Sequence, residues 1–187
     1  GAAGVIVPCV DTVEQARAVV RAAKLPPVGN RSYGGRRVID RIGREYAENK
    51  HEIMLVVQIE SPEAVNNADA IAATEGIDAL FLGPDDIMLR RGYSMNEPRT
   101  PETLGPDMAI VSAAAQAHGK VAVMVGAGSG VLELSLELGF QMIVGGGDVG
   151  MLANTSKQIS ADARAIVVSN RVKIADDSNR MVMKSLY

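Results

Sequence analysis

Two runs of consecutive apolar residues mark the chain, at positions 5–10 and 53–59. Both are rich in Val and Ile and neither alternates with polar positions. That pattern predicts interior strands of a parallel sheet, buried on both faces. Three shorter apolar segments, 78–82, 121–125 and 140–144, read as further strands. Between them the spacing becomes helical. Val13, Ala16, Val19, Val20 and Ala23 mark a helix to about Lys24, capped by Asp11 or Thr12 and ended by Leu25-Pro26-Pro27. A glycine-rich loop at 28–35 leads into a polar helix from Arg36 to about Asn49. Ser61-Pro62-Glu63 is a helix start, with a capping hydroxyl, Pro at the first helical position and an acid in the first turn. That helix carries Ala64, Val65, Ala68, Ile71 and Ala72 on one face and stops at Gly76. Residues 92–105 form the longest irregular stretch, a candidate loop or lid. From Ala161 a helix gives way to a polar, Met-rich tail that could dock on a partner subunit.

Five strands alternating with helices predict an α/β fold with a parallel sheet. No linker, charge run or low-complexity segment divides the 187 residues, so a single domain is expected. Residue 1 is Gly, and a core strand follows almost at once, which reads as a fragment or a processed chain.

Composition narrows the function. Apolar residues make up 47% and charged residues 22%, an ordinary globular balance that excludes disorder and coiled coil. Net charge is −3 and aromatics are 3%, so neither a basic footprint nor a base-stacking platform for nucleic acid is present. The single cysteine makes no internal disulfide, no run approaches the length of a membrane span, and no signal peptide opens the chain. A cytoplasmic location is the expectation.

The richest segment chemically is Gln58-Ile59-Glu60-Ser61. Strand alternation sends Gln58 and Glu60 to one face. The next strand also ends in acids, Gly83-Pro84-Asp85-Asp86, and Glu60 and Asp86 are 26 residues apart, about one βα unit. Adjacent parallel strands would bring both carboxylates to one rim, a hard-oxygen site for Mg²⁺ or Mn²⁺. The amides around Asp85 and Asp86 could cradle an anionic carboxylate. Spacing alone leaves equally open that Glu60 and Asp86 are helix-cap acids facing solvent, and Asp85 alone reads better as a cap than as a ligand.

Several stretches now fall into one order: Gly1-Ala2-Ala3-Gly4-Val5-Ile6-Val7-Pro8, Pro26-Pro27, Gly29-x-Arg31, Gln58-Ile59-Glu60, Gly83-Pro84-Asp85-Asp86, and Leu138-Gly139-Phe140 through Gly147-Asp148. In this order and spacing the chain resembles, over residues 1 to about 155, the HpcH/HpaI aldolases, metal-dependent pyruvate aldolases of the 4-hydroxy-2-oxoheptanedioate aldolase type. The resemblance implies a (β/α)₈ TIM barrel of the phosphoenolpyruvate/pyruvate superfamily, incomplete here, with strands four to eight present and a C-terminal helix and tail at about 156–187. It implies a divalent metal, Mg²⁺ or Mn²⁺ with Co²⁺ possible, held by Glu60 and Asp86. It places Gln58 beside a bound 2-oxo acid and the amides of Asp85 and Asp86, after Gly83-Pro84, on its carboxylate. The implied reaction joins or separates pyruvate and an aldehyde through a 4-hydroxy-2-oxo acid, in a homo-oligomer. A full barrel takes eight strands and about 250 residues. The arginine and histidine of the family's acid–base machinery would lie in the three absent strands, so no catalytic residue is assigned here. Gly35 stands where the family often has a small hydroxyl residue. The isolated chain is therefore expected to be a poor aldolase.

Other signals are weaker. Gly145 to Gly150 matches G-x-G-x-x-G, but no strand with an acid follows about 20 residues later, so a close backbone turn is the preferred reading over a nucleotide site. Gly126-x-Gly128-x-Gly130 reads as a permissive loop. His118 suits a helix C-terminus, His51 precedes a strand on the far rim, and the two make no zinc site. Cys9, at the end of the first strand, could face the barrel mouth, but a small buried apolar role is the commoner one, and no base at motif spacing supports a nucleophile. Asn30-Arg31-Ser32 and Asn154-Thr155-Ser156 are chance sequons. Two rival functions remain: a citryl- or malyl-CoA lyase, ranked lower because no obvious basic cluster awaits CoA phosphates, and an impaired barrel that acts only as an oligomer or partner subunit.

Overall fold

A computed structural model of the chain describes residues 2–47, 53–126 and 130–169. The chain falls into two compact units, residues 1–145 and 146–187. The first holds five parallel strands: β1 (Gly4–Val7), β2 (Met54–Ile59), β3 (Ala79–Leu82), β4 (Val121–Val125) and β5 (Met142–Val144). Their spatial order is the chain order, β1-β2-β3-β4-β5, with no reversal. Each right-handed crossover then returns its helix to the same face, as in a barrel wall. The result is a five-strand half-barrel.

The helices are α1 (Val13–Ala23), α2 (Arg36–Ile42), α3 (Pro62–Asn66), α4 (Ala68–Ala72), α5 (Pro84–Arg90), α6 (Pro101–Ala117) and α7 (Val131–Glu137) in the first unit, and α8 (Asp148–Ser169) in the second. Strand alternation divides the apolar residues. Leu55, Val57, Ile59, Leu80, Leu82, Ala122 and Met124 face the helices and pack with Ala16, Ala64, Ile71, Met108, Val111 and Val131. Each fully buried aliphatic side chain of this kind contributes about 1.5–3 kcal/mol. On the opposite face Val56, Ala79, Phe81 and Val123 form a second, smaller cluster.

Several expectations are corrected by this geometry. The first apolar run was read as a strand buried on both faces, but among the described residues β1 is an edge strand, paired only with β2, and Ile6 is 49% exposed. The helix expected over 61–76 is two short helices. At their junction, Asn67 (φ −94°, ψ 2°) donates its side-chain amide to the Asp11 carbonyl at 2.8 Å. The helix from Arg36 stops at Ile42, because Gly43 takes φ +100°, and a short 3₁₀ turn follows. The irregular stretch is shorter than expected. Thr100 caps α6, donating to and accepting from Thr103, with Pro101 at the first helical position. The terminal helix, expected from Ala161, already spans 148–169. His51, the centre of the 126–130 loop and the tail from residue 170 lie outside the described residues.

Three polar ties set the half-barrel's frame. Buried Lys24 donates to Asp78 at 2.6 Å and to the Ile53 carbonyl at 2.9 Å, and Asp78 also accepts the Leu55 amide at 2.7 Å. This joins the end of α1 to the entrances of β2 and β3. Arg91 grips buried Asp107 through two bonds of 2.7 and 2.5 Å, locking the end of α5 to α6. Ser61 donates to Asp11 while accepting the Ala64 amide, which fixes the start of α3 against the segment after β1. His118 does end a helix: it caps α6 and meets Asp69 at 2.9 Å.

Candidate active site

The register Gln58↔Phe81 and Ile59↔Leu82 brings Glu60 level with Gly83, one residue past the paired strands. Both therefore lie at the C-terminal rim of the sheet. Glu60 is 4% exposed, so it is no solvent-facing cap. A buried carboxylate needs donors. It receives two from Cys9: the backbone N–H donates to Oε1 at 2.8 Å and the thiol to the same atom at 3.2 Å.

Gly83 makes room for this carboxylate. A Cβ there would sit 2.6 Å from Glu60 Oε2, 2.8 Å from Glu60 Cβ and 3.4 Å from Gln58 Nε2. Those distances also place Gln58 and Glu60 on one face, as strand alternation predicted, with Gly83 against both. Pro84 follows at the first position of α5, with Asp85 and Asp86 in its first turn. Their amides, like those of any helix start, lack intrahelical acceptors.

The two acids differ. Asp85 is engaged by Arg99, whose Nε and Nη2 donate at 2.5–2.9 Å, an ion pair that ties the segment before α6 to the start of α5. Asp86 is exposed and has no hydrogen bond or ion pair among the described residues. A hard divalent cation is commonly held by one or two carboxylates, with water and substrate completing its shell. Glu60, with Oε2 facing the space left by Gly83, and unpaired Asp86, in the first turn of α5, each carry oxygen donors of that chemistry. Among the described residues no group of three or more His, Cys, Asp or Glu side chains gathers to hold a metal by itself.

Cys9 departs from its expectation as a buried apolar residue. It is exposed, in the left-handed region at φ +56°, a conformation that costs a non-glycine residue about 1 kcal/mol or more. The turn aims both its N–H and its S–H at Glu60. The thiol's pKa is raised, first by its hydrogen bond to Glu60, then by partial desolvation and the same carboxylate's charge. Arg90, 3.7 Å from the sulfur, opposes the rise. Arg90 and Arg99 went unread in the sequence, and the tie between Cys9 and Glu60 was not foreseen. Extending the β1–β2 register past Val7↔Val57 would have placed Cys9 near Glu60, a placement marked by the Val10 amide donating to the Gln58 carbonyl at 3.4 Å. Gly35, by contrast, lies at the start of α2, in the connection that enters β2 from its N-terminal end. The G-x-G-x-x-G stretch joins β5 to α8, with Gly146 at φ +155°.

Fold and site together define a barrel-type parallel α/β protein whose polar groups gather at the C-terminal ends of its strands, the end at which such barrels do their chemistry. The family model for HpcH/HpaI aldolase/citrate lyase matches residues 1–155. The chain belongs to that family. It is similar to a hydroxypyruvate/pyruvate aldolase of Rhizorhabdus wittichii, 34% identical over 168 residues, which cover 89% of this chain and 66% of the relative. A 2-keto-3-deoxy-L-rhamnonate aldolase of Klebsiella pneumoniae is 40% identical over 129 residues, 66% of this chain and 48% of the relative. Among solved structures, macrophomate synthase superposes with a TM-score of 0.74 at 32% identity, over 90% of this chain and 60% of its own. The chain thus spans about two thirds or less of the length of these relatives. No helix among the described residues is long and apolar enough to cross a membrane.

Proposed function

We propose that this chain carries the metal and 2-oxo-acid half-site of a divalent-metal-dependent aldolase, a carbon–carbon lyase acting on 4-hydroxy-2-oxo acids. The observation that carries the proposal is the buried Glu60 carboxylate at the strand rim, with Gln58 beside it and a glycine opposite it. Family membership and the names of the relatives support it.

In the proposed reaction the C3–C4 bond of the substrate breaks and its electron pair passes to C3. The 4-hydroxyl loses its proton as the aldehyde forms, and C3 gains one to give pyruvate. Glu60 and Asp86 would hold Mg²⁺ or Mn²⁺, which supplies Lewis-acid polarisation of the 2-keto group. Gln58 would orient the oxo acid, and the amides of Asp85 and Asp86 would receive its carboxylate. Cys9 holds Glu60 in place through Oε1, leaving Oε2 toward the rim. Ile59 and Leu82, buried beneath, fix both strand ends. No described side chain is assigned the proton transfers, so the whole activity calls for groups beyond this half-site.

The test is titration of Mn²⁺ into the chain with and without oxalate, a mimic of the reacting oxo acid. Binding that tightens with oxalate, and is lost in Glu60→Ala and in Asp86→Ala, is expected. Unchanged affinity in both variants, or no binding at millimolar metal, would sink the reading.

One further observation favours assembly with other chains. The register sets Ile6 beside Val56 and Met142 beside Val123, so both belong to the face opposite the helices. They are 49% and 41% exposed. An apolar face bounded by edge strands suits a homo-oligomer or a partner subunit.

A further inference from the structure

The other end of the sheet carries a cluster of charge that the aldolase reading does not use. A cavity of about 440 Å³ opens between the entrances of β1 and β2, lined by Ala2 and Ile53, and the segment that carries α2. Three arginines line it: Arg31 from the loop, and Arg37 and Arg41 from α2. No acidic side chain does so among the described residues.

Two independent observations mark the cluster as unfinished. First, Nε of Arg31 is buried with no hydrogen-bond partner. A buried donor left unpaired costs roughly 1–3 kcal/mol, more when charged. Second, Arg37 and Arg41 stand four apart on one helix face, where like charges repel. Neither forms a hydrogen bond or ion pair among the described residues. Their neighbour Arg36 shows the ordinary arrangement, donating to Asp40 at 2.7 Å one turn on. The same short helix thus neutralises one arginine and leaves the two that line the cavity without an acidic partner among the described residues.

The loop that presents Arg31 is built rather than loose. The Arg31 amide donates to the Lys24 carbonyl at 2.9 Å, and the Gly29 amide to the Leu25 carbonyl at 2.9 Å. Gly29 has to be glycine, since a Cβ there would lie 2.7 Å from the Val20 carbonyl oxygen and closer still to that of Lys24. Tyr46, which also lines the cavity, packs its ring on Tyr33 at 4.8 Å and donates its hydroxyl to the Tyr33 carbonyl. Val38 and Ile42 supply an apolar wall.

We infer that this cavity binds a compact, multiply charged oxyanion, a phosphate- or polycarboxylate-bearing small molecule whose charged end is gripped by Arg31, Arg37 and Arg41. Guanidinium forks match the paired oxygens of such groups, and the apolar wall accommodates a short carbon body. The six residues of β2 separate this cavity from Glu60 by roughly 20 Å. An anion bound here is an effector or a stabilising ligand, distinct from anything at the strand rim, and the inference stands whether or not the aldolase reading does.

The test uses the whole chain in EDTA at fixed ionic strength, titrated by calorimetry with pyrophosphate, with citrate and with sodium chloride. Saturable one-to-one binding of pyrophosphate or citrate, and none of chloride, is expected, the tighter of the two naming the charged group. Arg37→Gln and Arg41→Gln, both on the surface of α2, should each weaken it by about tenfold, the loss of one charge-assisted contact. Glu60→Ala should leave it unchanged. Absence of binding by both anions, affinity indifferent to both arginine variants, or loss in Glu60→Ala would each overturn the inference. Arg31→Gln serves as a further variant once its far-ultraviolet dichroism matches that of the parent.

Discussion

At the scale of single residues, the rim depends on what is missing at position 83. Gly83→Ala inserts a methyl at 2.6–2.8 Å from Glu60, so the carboxylate or the strand end has to shift. We expect Mn²⁺ affinity in the presence of oxalate to fall at least about tenfold, with a stability loss of about 1–3 kcal/mol. Calorimetry and urea unfolding would measure the two. Affinity equal to that of the parent would mean that Glu60 does not approach Gly83 in solution. Cys9 offers a direct probe of the same carboxylate, because it is the only cysteine in the chain. Alkylation proceeds through the thiolate, and Glu60 holds the thiol protonated. In EDTA, iodoacetamide should therefore react more slowly at pH 8 than with a free thiol, and its rate should climb only at pH above the ordinary thiol range. Glu60→Ala should shift that rise to lower pH. An identical pH–rate profile in both proteins would show that the S–H to carboxylate bond does not form.

Secondary-structure elements are held together by a few buried charges as well as by packing. Arg91 is the partner of Asp107, whose side chain is 4% exposed. Arg91→Met keeps most of the side-chain volume and strands the carboxylate. A loss of about 3 kcal/mol is expected from chemical denaturation, the low end for breaking a buried pair, because Arg91 itself is partly exposed. A change below about 0.5 kcal/mol would class the pair with ordinary surface bridges. This scale also shows what was legible in the sequence. The strand positions were, because runs such as 53–59 and 121–125 have no competing period. The burial of Ala64, Val65, Ala68, Ile71 and Ala72 was too, even though the helix they shared proved to be two. The break at Asn67 was hidden, since it is set by a bond to the distant Asp11 carbonyl. The start of α6 was hidden inside the stretch 92–105, whose Pro98, Pro101 and polar residues read as a loop, although Thr100-Pro101-Glu102 repeats the signal recognised at Ser61-Pro62-Glu63. At the rim, Gln58, Glu60 and Gly83 could be read because β alternation and a one-unit spacing are local rules. Cys9 was left between the barrel mouth and the core, because its role depends on how far β1 runs beside β2. The arginine cluster was scattered over eleven positions and became visible only when loop and helix closed around one cavity.

For the molecule as a whole, the sheet ends in two edges, β1 and β5, among the described residues. Exposed Ile6 and Met142 mark the apolar face that joins them. We expect light scattering to report a mass above that of one chain at micromolar concentration. Ile6→Lys and Met142→Lys should move the population toward the single chain. A monodisperse single chain in the parent would argue against assembly through this face.

The uninterrupted strand order has a consequence for how the chain comes into being. Among the described residues each strand pairs only with its neighbours in chain order, so each strand docks on the one made just before it. Partners in the ladder still lie 19 to 50 residues apart, from Val123↔Met142 to Gly4↔Met54, so each closure is slow while the order of closures is progressive. The β1–β2 pair can close once Ile59 has left the ribosome, and each later βα unit adds to an existing edge. Such a wall should also open from its margins inward. Hydrogen exchange should then rank the amides of β2, β3 and β4 as the slowest, with those of β1 and β5 yielding first.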